Sequence, residues 1–173
     1  MKILIFGLRD TAQLAHYYLT TDSEHEVVAF TVNRDYIGEM ETFCGLPVVP
    51  FEDIENVYSP NEYAFFVPMT YRRMNNDRKK VYEEVKTKGY KCISYVNSKT
   101  TIASNVEIGE NCFILEDNTI QPFVKIGDNV VIWSGNHVGH HSTIKDHVFL
   151  TRVVISGNCV IENNCFLGAN ATI

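Results

Sequence analysis

The sequence IASNVEIGENCFILEDNT occupies residues 102–119, and IQPFVKIGDNVVIWSGNH follows it at residues 120–137. Both stretches carry an aliphatic residue at every sixth position, and the series continues beyond them with a single step of five residues. Its members are Ile102, Ile108, Ile114, Ile120, Ile126, Ile132, Val138, Ile144, Leu150, Ile155, Ile161 and Leu167. A short period sustained over this length indicates a repeat architecture in which each unit stacks on its neighbours.

A second position of the repeat carries only small or medium-sized side chains. It lies four residues after each aliphatic residue: Val106, Cys112, Asn118, Val124, Val130, Asn136, Ser142, Val148, Val154, Cys159, Cys165 and Ala171. A chain that points a branched residue and then a small residue inward in every hexad must turn a corner in every hexad. Three hexads therefore form one triangular coil, and we expect the coils to stack at the inter-strand spacing of about 4.8 Å.

The residue before each small one is predicted to form the corner. These residues are mostly Asn, Asp, Gly or His, which tolerate a left-handed backbone: Asn105, Asn111, Asp117, Phe123, Asn129, Gly135, His141, His147, Val153, Asn158, Asn164 and Asn170. The repeat predicts four coils, at residues 102–119, 120–137, 138–154 and 155–172. Ile173 begins a fifth coil, so we expect a β-helix that is cut short or capped by a partner.

The first half of the chain alternates strand-like and helix-like stretches. Apolar runs predict strands near residues 2–6, 27–32, 46–49, 63–67 and 90–96, and helical spacing predicts helices over residues 12–19 and 74–85. This order is typical of a small open parallel sheet with helices packed on it. The sequence therefore predicts an α/β domain at residues 1–97 and a repeat domain at residues 98–173.

The composition excludes several classes of protein. With 45% hydrophobic residues and a formal charge of −6, the chain is neither disordered nor a polyanion-binding protein. Its five cysteines contain no C-x-x-C pair, which argues against a disulfide framework or a metal site. The first apolar run, residues 3–6, is too short for a signal peptide or a membrane span. We therefore expect a cytoplasmic protein without nucleic-acid or membrane partners.

The hexads, together with the segment SGNHVGHHS at residues 134–142, resemble the left-handed β-helix acyltransferases. Within that group they look most like the bacterial sugar acetyltransferases related to sialic-acid O-acetyltransferase and the bacillosamine-type N-acetyltransferases. The turn FGLRDTAQLA at residues 6–15 extends the resemblance in outline to the first half. The resemblance implies a Rossmann-like sheet followed by a left-handed β-helix, acetyl-CoA as co-substrate, a free or nucleotide-linked sugar as acceptor, and a homotrimer with active sites between subunits.

The resemblance places a general base at His140. The base of the family is a histidine two residues after an inward aliphatic residue, here Val138, and an imidazole can take the proton of a sugar amine or hydroxyl. The next family position commonly holds an acidic residue that orients the base, but here it is His141. We take both histidines as catalytic candidates. Asp146 or a backbone carbonyl could instead orient the base, with His141 serving only as a corner residue.

Three further residues are expected to face acetyl-CoA: Gly157, Thr151 and Arg152. Gly157 occupies the hexad place of His140 one coil later, where it leaves room for a thioester, and the resemblance implies that its N–H binds the acyl carbonyl. Relatives usually have six residues where this chain has the five of residues 150–154, and some place a histidine there. We expect the missing residue to shift the backbone between His140 and Gly157.

The acceptor is expected to contact both halves of the chain. Gly7, Leu8 and Arg9 lie between the first strand and a helix, where backbone N–H groups could meet a phosphate, although the turn is not G-x-G-x-x-G. The resemblance implies that this turn holds the nucleotide of an activated sugar, with Asn33 and Asp35 near its base or ribose. In the repeat, His137 could either contact the acceptor or serve in packing.

Two functions of other classes compete with acetyl transfer. A non-catalytic sugar-binding or scaffold protein could keep the β-helix only for trimerisation, and the five-residue repeat favours this alternative. A nicotinamide-dependent oxidoreductase would use the N-terminal sheet, but the single glycine of the first turn disfavours it.

Overall fold

The computed structural model describes all 173 residues, which form two compact units. One unit comprises residues 1–69 and 81–93, and the other comprises residues 70–80 and 94–173. The chain has three α-helices, α1 (Asp10–Thr21), α2 (Ile54–Val57) and α3 (Asn76–Thr87), and two short 3₁₀ helices, Arg34–Tyr36 and Phe51–Asp53. None of them has the length and the apolar composition that crossing a membrane requires.

The first unit is built on a six-stranded sheet in the order β3-β4-β2-β1-β5-β6. Its strands are β1 (Lys2–Phe6), β2 (Glu26–Val32), β3 (Thr42–Phe43), β4 (Leu46–Pro50), β5 (Tyr63–Phe66) and β6 (Lys91–Cys92). All neighbouring pairs are parallel except β3 with β4. Strand β1 is central and almost wholly apolar, as expected for a parallel strand that is covered on both faces. The predicted parallel sheet is therefore present.

The strand predicted over residues 90–96 is divided between two sheets. Strand β6 pairs with β5 in the first unit, whereas β7 (Tyr95–Val96) pairs with β10 (Phe113–Ile114) of the repeat. Val96 lies six residues before Ile102, so the aliphatic series extends one step further back than we predicted. The repeat therefore begins at β7.

The second unit consists of two-residue strands stacked into three parallel sheets, which we call walls 1, 2 and 3. Wall 1 contains β7, β10 (Phe113–Ile114), β13 (Val131–Ile132), β16 (Phe149–Leu150) and β19 (Phe166–Leu167). Wall 2 contains β8 (Thr101–Ile102), β11 (Thr119–Ile120), β14 (His137–Val138) and β17 (Val154–Ile155). Wall 3 contains β9 (Glu107–Ile108), β12 (Lys125–Ile126), β15 (Thr143–Ile144) and β18 (Val160–Ile161). These stacked parallel sheets fit a left-handed β-helix.

The aliphatic series forms the core of this β-helix, as predicted. The second residue of each wall strand points inward, and those of the middle coils are fully buried; the cluster includes Ile114, Ile120, Ile126, Ile132, Val138, Ile144, Leu150 and Ile155. Most predicted corners have a positive φ, including Asn111, Asn129 and His141, whereas Asn105 does not. The hexad pattern therefore corresponds directly to the inward and corner positions.

The five-residue step is an exception to the predicted register. The left-handed corner is formed by Arg152 (φ 48°), not by Val153, and Val153 is the residue that packs in the core. Val154 points outward and is 47% exposed, so its predicted inward position is wrong. The missing residue is absorbed at this one corner, because Val138 pairs with Ile155 in regular register in the next strand.

Residues 70–80 cover the outer face of wall 1. The ring of Tyr71 lies 4.7 Å from that of Phe166, and the buried side chain of Arg78 donates hydrogen bonds to the backbone carbonyls of Asn129 and His147. Burial lowers the pKa of Arg78 to about 10. Because the chain covers wall 1 itself, walls 2 and 3 are the faces that it leaves open within this unit.

Candidate active site

His140 lies at the corner between walls 2 and 3. Val138 anchors the segment in the core, and the backbone of His140 is held from both sides. Its N–H donates to Oε1 of Gln121 at 2.9 Å, and its carbonyl accepts from the N–H of Asn158 at 2.9 Å. The backbone is therefore fixed, while the side chain projects outward and is exposed.

Gly157 provides the surface on which the His140 ring rests. A Cβ on Gly157 would lie 2.8 Å from both Cε1 and Nε2 of the imidazole, so any other residue here would collide with the ring. The Gly157 N–H has no hydrogen-bond partner in the chain. The site thus combines a basic ring nitrogen, an open space where a side chain is absent, and an unused donor beside them. The expected backbone shift between His140 and Gly157 is wrong, because the five-residue step is absorbed upstream.

His141 contacts His140 through its ring. The two Nδ1 atoms are 3.0 Å apart, and the ring planes are nearly perpendicular. His141 also forms the left-handed corner (φ 59°), and its ring stacks on that of Phe123 with centroids 4.6 Å apart. It is therefore both a corner residue and the direct neighbour of the candidate base.

Asp146 does not orient His140. It lies at the corner between walls 3 and 1, on the far side of wall 3 from His140. There its Oδ1 accepts the N–H of Asp128 at 2.8 Å, as part of a ladder of side chains that bind corner N–H groups. This alternative partner for the base is excluded by its position.

His137 lies in strand β14 of wall 2, three residues before His140. Its side chain points outward and is half-buried, and its strand neighbours in register are Thr119 and Val154. The residue therefore belongs to the open face that leads to the His140 corner.

Thr151 and Arg152 lie at a different corner from His140. They connect walls 1 and 2 and precede strand β17, whereas Gly157 follows that strand. Arg152 is exposed and forms no ion pair, and its Cγ is 3.9 Å from the position that a Cβ on Gly135 would occupy. The structure thus brings His140, His141 and Gly157 together and places Thr151 and Arg152 one wall away.

The N-terminal candidates meet at one edge of the first sheet. Gly7 follows β1 and Asn33 follows β2, and these two strands are neighbours. The N–H of Gly7 donates to the carbonyl of Thr31 at 2.8 Å and is therefore used within the sheet. The N–H groups of Leu8 and Arg9 have no partner in the chain. Strands β2 and β5 flank β1, so this edge includes a point where the strand order reverses, as in many nucleotide-binding sheets.

The segment after β2 is ordered by a carboxylate. Glu52 accepts the N–H of Arg34 at 3.0 Å and the amide of Asn33 at 3.4 Å, while Asp35 in the same turn is exposed. Partial burial raises the pKa of Glu52, but these hydrogen bonds outweigh it and lower the pKa overall. A groove of about 410 Å³ lies beside Asn33 and Glu52 and extends to Lys88.

A larger groove in the β-helix does not coincide with the histidines. It measures about 470 Å³ and runs along wall 3, between Glu107 and Asn163. Two of its charged side chains, Lys125 and Glu107, form an ion pair. Asp146 lines it, but none of the residues assigned to the candidate site does. Geometry and chemistry therefore favour the corner at His140 over this groove.

The repeat has a counterpart among known families. Residues 105–140 match the family model described as bacterial transferase hexapeptide (six repeats). This segment of the chain is similar to bacterial transferase hexapeptide repeats. The last residue of the matched segment is His140, the candidate base.

Solved structures share the fold over nearly the whole chain. A histidine-to-asparagine variant of perosamine N-acetyltransferase from Caulobacter crescentus, in complex with CoA and GDP-perosamine, has a TM-score of 0.86 at 19% identity, covering 99% of this chain and 79% of that one. The acetyltransferase domain of PglB from Neisseria gonorrhoeae with acetyl coenzyme A has a TM-score of 0.80 at 18% identity, covering 99% and 80%. WeeI from Acinetobacter baumannii has a TM-score of 0.64 at 17% identity, covering 99% and 88%.

Two residues of the site were not identified from the sequence as parts of it. Gln121 holds the N–H of His140, and Phe123 stacks on His141. Gln121 carried no signal, because outward polar residues are common throughout the repeat. Phe123 did carry one, since an aromatic residue is unusual at a corner that elsewhere is Asn, Asp or Gly.

Proposed function

We propose that this protein transfers an acetyl group from acetyl-CoA to an amino or hydroxyl group of a nucleotide-activated sugar. The observation that carries the proposal is the contact between the His140 ring and Gly157, whose N–H is unused. Support also comes from two proteins of the same fold, one solved with CoA and GDP-perosamine and one with acetyl coenzyme A. In two matched structures of the perosamine enzyme, a single histidine is the replaced residue.

His140 is the general base in this proposal. Its Nε2 takes the proton of the acceptor as the acceptor atom attacks the thioester carbonyl, and it returns the proton to the departing thiolate. The acyl–sulfur bond breaks as the bond from the acyl group to the acceptor forms, with no covalent enzyme intermediate. The exposed position of the ring gives both substrates access to it.

Gly157 accommodates the thioester. The missing side chain leaves space for the acyl group beside the imidazole, and the free N–H is a donor for the negative charge that develops on the carbonyl oxygen. A backbone donor is held rigidly, so it costs little to orient at the moment of reaction. These are the chain's own features that fit acetyl-CoA.

Thr151, Arg152 and His137 serve binding in this proposal. Arg152 is an exposed, unpaired cation at the corner before strand β17, which leads to Gly157. Its positive charge suits a phosphate group of CoA. Thr151 precedes it at the same corner. His137 lies on wall 2 beside the His140 corner, where it would contact the acceptor sugar.

The first unit holds the nucleotide of the acceptor. We assign it as a Rossmann-like domain in which the turn at Gly7, Leu8 and Arg9 receives the diphosphate and Asn33 and Asp35 approach the base or ribose. The two free N–H groups of this turn and the reversal of strand order beside it support the assignment.

The proposal includes a homotrimer located in the cytoplasm. Walls 2 and 3 carry exposed apolar side chains, Val154 and Val160, and Phe123 is 55% exposed at the corner between them. A neighbouring subunit against these walls would bury the apolar residues and enclose the site.

The decisive experiment is a screen of thiol release from acetyl-CoA against a panel of nucleotide-linked amino and hydroxy sugars. At least one acceptor should give release that depends on its concentration and on the protein. The scaffold hypothesis predicts sugar or nucleotide binding by calorimetry without thiol release for any acceptor. That outcome would replace the enzyme with the scaffold.

A further inference from the structure

We propose that His141 positions the base by accepting a hydrogen bond from His140, so that each of the two adjacent histidines is held in a single tautomer. The proposal rests on the proposed function in one respect, the role of His140 as the base.

The distance between the rings determines where the protons lie. The two Nδ1 atoms are 3.0 Å apart, which is a hydrogen-bond distance. A neutral imidazole has one N–H and one acceptor nitrogen, so one Nδ1 must donate and the other must accept. His140 needs a free Nε2 to act as a base. Its proton therefore lies on Nδ1 and is donated in a hydrogen bond to Nδ1 of His141. The proton of His141 itself lies on Nε2.

No other group competes for this role. Neither histidine forms an ion pair or any further side-chain hydrogen bond in the chain. The His140 backbone is occupied by Gln121 and Asn158, which leaves the ring free to turn unless another group holds it. His141 is thus the sole partner within the chain for the Nδ1 atom of His140.

The ring of His141, which accepts this hydrogen bond, is itself held by two restraints. The left-handed corner fixes the backbone of His141, and the Phe123 ring stacks on its imidazole at an interplanar angle of 29°. Phe123 also has a positive φ, 66°, which is disfavoured for a bulky residue. Within the single chain its side chain is 55% exposed, and its ring contact there is the stack with His141.

The pair supports each proton movement of the reaction, and His141 itself stays neutral throughout. When Nε2 of His140 takes the proton of the acceptor, the ring becomes an imidazolium whose Nδ1–H points at the lone pair of His141. That hydrogen bond strengthens as the charge develops. When the carbon–sulfur bond breaks, Nε2 gives the proton to the thiolate. A neutral acceptor does this without placing a negative charge beside two phosphate-bearing substrates.

Two variants of one position separate the positioning role from the corner role. Glycine adopts the left-handed corner freely but offers no acceptor, whereas asparagine fits the corner and keeps an oxygen close to the place of Nδ1. His141→Gly should lower kcat by roughly 10–100-fold, the effect of losing a hydrogen bond to a charged group, with each KM within a few-fold of wild type. His141→Asn should stay within a few-fold in kcat. A His141→Gly enzyme with wild-type kcat would overturn the proposal.

A second measurement does not depend on activity. Nitrogen-15 NMR of the full chain with labelled histidines should show His140 protonated at Nδ1 and His141 protonated at Nε2, assigned with the His140→Ala and His141→Asn variants. In His141→Gly, His140 should lose its preference for the Nδ1–H form. A wild-type His140 protonated at Nε2 would contradict the proposal. If NMR shows the expected tautomers but the His140→Ala variant keeps wild-type activity, the hydrogen bond between the two histidines stands and the proposed function is refuted.

Discussion

The imidazole of His140 lies over the backbone of Gly157, one coil further along the chain. The contact is close enough that a single added carbon on Gly157 would be 2.8 Å from Nε2. It persists although the step from Leu150 to Ile155 is five residues and not six, because the corner at Arg152 absorbs the difference before strand β17. The relationship follows from the register of wall 2 and is the basis of the proposed site.

Gly157→Ala should impair catalysis without unfolding the protein. The added methyl group meets only the end of an exposed side chain, so the imidazole can move aside at little cost in stability. The moved ring would be misplaced for proton transfer, and a small displacement of a catalytic group can cost about 100-fold in rate. Steady-state kinetics and thermal unfolding of the same sample test this.

Gly168→Ala is the matched control for that variant. A Cβ on Gly168 would lie 3.5 Å from the Phe166 ring, an ordinary contact. Its rate and melting temperature should both stay close to wild type. Equal rates for the Gly157→Ala and Gly168→Ala enzymes would mean that the His140–Gly157 contact has no part in the reaction.

Gly139→Ala should behave in the opposite way, destabilising the β-helix. A Cβ on Gly139 would lie 2.5 Å from the nitrogen of Gly157 and 2.5 Å from the carbonyl carbon of Ser156. These are backbone atoms of the next coil and cannot move independently of it. We expect a loss of about 1–3 kcal/mol in the free energy of unfolding, measured by urea titration. A midpoint equal to that of wild type would contradict the stacking described.

Ile144→Asp or Ile126→Asp should unfold the repeat. Both side chains lie in the apolar column of wall 3, where a carboxylate would have neither water nor a partner. The cost is at least several kcal/mol. Thr143→Asp is the control, because Thr143 precedes Ile144 in the same strand and points outward. A cooperative thermal transition close to wild type for either isoleucine variant would show that the hexad register is wrong.

The exposed apolar residues of wall 2 predict oligomerisation. Sedimentation equilibrium at micromolar concentration should give three times the chain mass of 19.7 kDa. Val154→Glu should weaken the trimer, whereas Val57→Glu, a change at a similarly exposed position in helix α2, should not. A monomeric wild-type protein would remove the basis for a site enclosed between subunits.

The inward positions of the β-helix were predictable because they recur. Each wall strand supplies one aliphatic residue, so the period alone identifies Ile126 or Ile144 as core. The five-residue step was assigned incorrectly because Val153 and Val154 are the same residue type, and composition cannot tell the inward one from the outward one. Only the backbone, which turns at Arg152, makes the distinction.

The polar interior of the second unit was not predictable from the pattern. Asn75 and Arg78 lie in a polar stretch that resembles a solvated helix face, yet both side chains are fully buried. Their partners are backbone carbonyls of the coil corners, including those of Asn129 and Asn164, far along the chain. Such pairing leaves no trace in local periodicity. The contact of His141 with His140 was similarly hidden, because adjacent residues on a corner can point toward or away from each other.

The rate of acetyl transfer by His140→Ala is the most direct test of the central claim. A positioned general base contributes roughly 10²–10⁴-fold, so the variant should lose that factor in kcat while keeping the thermal stability of the wild type. The imidazole is exposed and not part of the core, so its removal leaves the packing intact. A His140→Ala enzyme within a few-fold of the wild-type rate would contradict the assignment of the base and of the site built around it.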